Sequence, residues 1–80
     1  MNAEKERDPY NTAVAAELSR LVDQTETGMM RLSRLTGIPR GTLHRYLNGT
    51  RDIRIAELRK IVTAVDGDIA DVLREAERSL

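Results

Sequence analysis

The chain has 80 residues and no cysteine, so it can hold one small core but no disulfide framework and no thiolate metal site. No apolar run approaches the roughly 18 residues a membrane-spanning helix needs, and the polar stretch from Asn2 to Tyr10 lacks the apolar centre of a secretory signal, so the reading is a soluble, intracellular protein. The formal charge is zero but unevenly laid out: residues 1–30 carry three basic side chains against six acidic, residues 31–60 eight against two, and residues 61–80 two against five.

Helical spacing of apolar residues dominates, β-type alternation is weak, and no proline follows Pro39. Residues 1–10 read as a flexible N-terminal segment and residues 11–80 as one domain. Asn11 or Thr12 can cap a first helix over roughly residues 12–24, with Val14, Leu18, Leu21 and Val22 on one face. A turn from Thr25 to Gly28 follows, with Thr27 or Gly28 as the next cap. A short second helix is expected over about residues 29–36, where Met29 and Met30 would fill the interface with the first. Gly37 can take the positive φ needed beyond its C-terminus. Ile38 should point inward, and Pro39 has the fixed φ suited to opening a third helix over roughly residues 40–48, ended by Asn48-Gly49. Residues 50–53 read as a loop. A fourth helix over about residues 54–65 places Ile55, Leu58, Ile61, Val62 and Val65 on one face and closes at Asp66-Gly67; Asp68 then caps a fifth over about residues 69–79. The fold class is all-α: a compact five-helix domain.

The stretch from Leu32 to Gly49 carries the function. Two short helices meet at a tight turn at Gly37, which is the sequence form of a helix-turn-helix. Leu32, Leu35, Ile38, Leu43, Tyr46 and Leu47 are placed to hold the second of these helices against the rest, and a small Ser33 lets the two approach. Arg40, Gly41, Thr42, His44 and Arg45 are left to face outward. The basic third of the chain coincides with this unit, which supplies phosphate affinity and steering, while the acidic ends limit non-specific adhesion.

The spacing Leu32-Ser33, Gly37-Ile38-Pro39, Leu43 and Asn48-Gly49 resembles the lambda-repressor/Cro family of helix-turn-helix domains, from about Val14 to about residue 77. The resemblance implies base reading from Arg40, Gly41, Thr42 and Arg45. Arginine pairs bidentately with guanine, and threonine can touch a thymine methyl. It also implies a phosphate contact at Asn48, and Thr50 and Arg51 follow in the loop with donors suited to the DNA backbone. His44, Arg31 and Arg34 are further backbone candidates. The chain departs from the family at Met29, where a phosphate-bonded glutamine is common, and at Pro39, where a serine-type cap is common.

The expected function is a sequence-specific, double-stranded-DNA-binding transcriptional regulator, similar to a phage Cro or repressor, in the cytoplasm of a bacterial or phage-infected cell. A homodimer on a palindromic operator is expected, with half-sites about one helical turn apart. Ile69, Ala76 and Leu80, in an acidic segment, are the candidate self-pairing stripe. The alternative is an antitoxin that autoregulates its operon, though residues 1–9 are too polar to serve well as a toxin-binding segment. An interaction module without DNA binding is disfavoured by the outward arginines. An enzyme is not expected: His44 is the single histidine, no carboxylate pair has catalytic spacing, and no glycine loop cradles phosphate. No cofactor, metal, small-molecule ligand or membrane partner is called for, and two tyrosines as the only aromatics do not build a single-strand stacking surface.

Overall fold

The computed structural model describes residues 8–80. Five helices follow in order: α1 (Pro9–Gln24), α2 (Met29–Thr36), α3 (Arg40–Leu47), α4 (Ile55–Ala64) and α5 (Ile69–Arg78). Their number and order match the sequence expectation, and α2 matches to the residue. The start of α1 does not. Asp8 accepts the Tyr10 amide at 2.9 Å and Pro9 opens the helix, so α1 begins three residues before the expected Thr12. The aspartate satisfies an orphan donor and the proline lacks one, a pairing favoured at helix starts. Residues 8–10 are therefore the cap and first turn of a helix. The rest of the expected flexible segment lies outside the described residues.

The helices enclose one core. Leu18 of α1, Leu32 of α2, Leu43 and Tyr46 of α3 and Ile61 of α4 are fully buried, with Val14, Val22, Ile38, Leu58, Val62, Val65, Val72 and Ala76 around them. α1 packs against both α3 and α5, α2 against α3 and α4, and α4 against α5. Burying a full-sized aliphatic side chain contributes about 1.5–3 kcal/mol, so this apolar centre holds the third helix in place without staples.

The turn between α2 and α3 is fixed by more than glycine. Gly37 sits at φ 75°, in the left-handed region, and its amide donates to the Ser33 carbonyl at 2.8 Å. The Ser33 hydroxyl donates to the Ile38 carbonyl at 2.6 Å. The Thr36 hydroxyl donates to the Leu32 carbonyl at 2.8 Å and accepts from the Ile38 amide at 3.2 Å. At the end of α4 the left-handed residue is Asp66 (φ 56°) rather than the glycine beside it.

Three expected core positions are corrected. Leu35 is 53% exposed, because Thr36 takes the inward place beside Leu32 once its hydroxyl is paired. Leu35 instead lines an open groove with Ala56, Arg59 and Lys60 of α4. Ile55 is 69% exposed, since it lies in the first turn of α4 at the mouth of a cleft lined also by Tyr10 and Leu73. Met30 is 60% exposed on the outer side of α2, and only Met29 packs on the core.

Candidate nucleic-acid interface

α3 divides by side. Leu43 and Tyr46 are buried and Leu47 packs against the core, while Arg40, Gly41, His44 and Arg45 are exposed and Thr42 is half-buried. The outward row expected from the sequence is thus present, Thr42 being its least accessible member. The Arg45 guanidinium lies about 4.0 Å from where a Cβ of Gly41 would be, so its side chain runs back over the preceding turn. Helical side chains lean toward the N-terminus in this way, and the missing side chain at Gly41 leaves that surface open. Arg45, though in the last turn of α3, thus carries its guanidinium back toward the first turn, which Arg40 opens.

The electrostatics separate cleanly. Among the described residues the ion pairs are Glu17–Arg20, Asp71–Arg74 and Glu75–Arg78, all within α1 or α5. Arg31, Arg34, Arg40, Arg45, Arg51, Arg54, Arg59 and Lys60 are exposed and take part in none of these pairs. Of the two acidic residues in this third, Glu57 is occupied by the Tyr46 hydroxyl. Eight exposed cations outside the ion pairs of the described residues form a strong attractor for phosphate. The helix starts follow the same division. Asp8 caps α1, and Asp68 caps α5 by accepting from Ala70 and Asp71 at 2.8 and 3.3 Å. α2, α3 and α4 begin at Gly28, Pro39 and Arg54 with no side-chain cap. The three uncapped helix starts thus border the basic third, where the positive ends of helix dipoles add to the same potential.

The connection after α3 is more ordered than a loop reading implies. Asn48 Oδ1 accepts from the Thr50 amide at 3.1 Å and from the Thr50 hydroxyl at 2.7 Å. That orientation leaves the Asn48 Nδ2 donor turned away from Thr50 and commits both Thr50 donors within the loop. Thr50 thus shapes the loop, whereas Asn48 and Arg51 retain donors for a ligand. The Arg51 guanidinium carbon sits 5.8 Å from the centroid of the Tyr46 ring, within cation–π range. Burial, then the adjoining Glu57 carboxylate, pushes the Tyr46 hydroxyl above its ordinary pKa, so it stays a donor through neutral pH.

Sequence reasoning did not single out Glu57 or Ser19, and it took Asn11 for a cap. Asn11 lies inside α1, and its side chain reaches Arg51 and Ile53 across the fold. The available signal was the spacing of Asn11, Ala15 and Ser19, one small or polar residue per turn beside the apolar face.

At the other end, the self-pairing stripe is reduced. Ala76 is 1% exposed and belongs to the core on the helix that packs against α1, so it cannot meet a second chain. Ile69 is half-buried, and Leu80 is 62% exposed. No helix among the described residues is long and apolar enough to cross a membrane.

A family model described as the Cro/C1-type HTH DNA-binding domain matches residues 15–74. No curated protein and no solved structure matches the chain.

Proposed function

The chain belongs to the Cro/C1-type helix-turn-helix DNA-binding domains, and from that premise we propose that it is a sequence-specific transcriptional regulator resembling a phage Cro or repressor. The observation that carries this reading is the exposure of Arg40 and Arg45 on α3, outside every ion pair among the described residues, above a fully buried Leu43 and Tyr46. A helix held that firmly presents its outer side to a major groove. There, arginines discriminate guanine by bidentate hydrogen bonds worth about 1–3 kcal/mol each.

In this reading Arg40, Gly41, Thr42 and Arg45 meet base edges. Arg31, Arg34, His44, Asn48 and Arg51 meet phosphates, with Thr50 supporting Asn48. A single α3 reads only a few base pairs, so two copies act on a palindromic operator in the host cytoplasm, with half-sites about one helical turn apart. Leu80 and the accessible part of Ile69 are the apolar positions available for pairing, remote in charge from the basic third. Selection of bound duplexes from a random pool tests the reading. A recovered palindrome supports it, and a pool that stays unenriched overturns it.

A further inference from the structure

One stripe of α1 runs alongside the whole connection from α3 to α4. Asn11, Ala15 and Ser19 are spaced four residues apart and so share a face. Ser19 Oγ donates to the carbonyl of Leu47 at 2.7 Å, one of the carbonyls left without an intrahelical partner at the end of α3. Gly49 is buried at φ 78°, and a Cβ there would stand 3.7 Å from the Ala15 methyl and 4.0 Å from Thr12 Cα. Asn11 closes the series: its Nδ2 donates to the Arg51 carbonyl at 3.3 Å, and its Oδ1 accepts from the Ile53 amide at 3.0 Å. A carboxamide supplies a donor and an acceptor together, which neither aspartate nor serine does in the same geometry.

We infer that this stripe is a rail that fixes the backbone of residues 47–53 and so aims Arg51 at a phosphate, making Asn11 a positioning residue for DNA binding; the inference rests on the DNA-binding reading above. Arg51 is held twice. Its carbonyl is tied to Asn11 on α1, and its guanidinium rests over the ring of Tyr46, itself tied to Glu57 on α4. The Asn48–Thr50 bonds stiffen the loop from within. A loop already ordered in the free protein loses less entropy when it binds, so its contacts deliver more affinity. Asn11 itself need not touch DNA. Its effect passes through Arg51.

The test uses Asn11→Asp and Asn11→Ala, each alone and combined with Arg51→Ala, in the full chain with helicity checked by circular dichroism. Asn11→Asp keeps the acceptor for Ile53 and deletes the donor to Arg51. Duplex affinity is measured across a salt series, using the duplex recovered by selection. Either substitution alone is expected to weaken binding about tenfold. It should also lower the slope of log K against log salt, by up to the ~0.9 that one phosphate contact carries. With Arg51→Ala already present, Asn11→Ala should cost nothing further, and Asn11→Asp only the smaller repulsion that its new carboxylate adds. Equal losses in both backgrounds, or no loss in either, would overturn the positioning role. If the unaltered protein binds no duplex, the DNA-binding reading has failed, and the rail is judged separately by hydrogen exchange at the Ile53 amide. Protection in the unaltered protein and Asn11→Asp, with fast exchange in Asn11→Ala, supports it; equal exchange in all three removes it.

Discussion

Gly37→Ala isolates the backbone cost of the helix-turn-helix turn. Gly37 lies at φ 75° and ψ 7°, and a Cβ built on it meets no atom within 4 Å. Steric crowding therefore contributes nothing, and the penalty is that of an L-residue in the left-handed region, about 1–2 kcal/mol. Alanine also restricts the unfolded chain, which offsets some 0.4–1 kcal/mol. The net loss is about 1 kcal/mol, or roughly 4–8 °C in melting temperature for a domain of this size. Thermal melts followed by circular dichroism measure it directly. Asparagine tolerates this conformation better, so Gly37→Asn should fall less. Gly37→Val, β-branched, should fall at least as far as alanine. At temperatures where each variant is fully folded, duplex affinity should be unchanged, because no side chain at this position is asked to touch DNA. A Gly37→Ala protein that melts at or above the unaltered one would refute the left-handed turn and the α2–α3 angle built on it.

Arg40→Ala should cost roughly 1–3 kcal/mol on the best duplex and much less on random DNA, read by competition binding; equal losses on both would reassign Arg40 to phosphate. Arg51→Ala should weaken all sequences alike and lower the salt slope by about one, and a changed base preference would show that the loop reads sequence. Tyr46→Phe should lower stability by about 1 kcal/mol through loss of the hydroxyl bond to Glu57. Because the folded-state pKa of Tyr46 is raised by burial and then by Glu57, its stabilising contribution is complete below the ordinary tyrosine value near 10 and falls away as pH climbs through the raised value. Denaturant titrations at alkaline pH should show a shallower decline in Tyr46→Phe than in the unaltered chain, and identical declines would remove the Tyr46 assignment. Leu80→Lys should give a helical monomer with much weaker operator affinity. Sedimentation showing the unaltered protein monomeric, both free and on a full palindrome, would end the pairing proposal.

The helix order was legible because punctuation and periodicity agree: Gly37, Asn48-Gly49, Asp66 and Asp68 stand where helices stop and start. Leu32, Leu43 and Tyr46 were legible as core for the same reason. The choice between Leu35 and Thr36 was not. An eight-residue helix has few inward places, and a threonine that bonds its own preceding turn can occupy one that hydrophobicity alone assigns to leucine. The start of α1 was obscured because Asp8-Pro9 follows a charged stretch that reads as unstructured. Ala76 misled because a small apolar residue at the end of a chain reads equally as surface or as a close helix contact. The outward arginines were readable from spacing. The hydrogen bonds from Asn11 and Ser19 were not, because they join residues at least 28 apart and depend on how α1 lies across the loop.

The most direct test of sequence readout by α3 is the affinity ratio between the selected duplex and a scrambled duplex of equal length, at near-physiological salt. It should be measured for the unaltered protein and for Arg40→Ala/Arg45→Ala. The account predicts a ratio of at least about 10³ for the unaltered protein and a collapse toward one in the double variant, with residual binding still steeply salt-dependent. A ratio within a fewfold of one for the unaltered protein, or a high ratio that survives the double substitution, would contradict it.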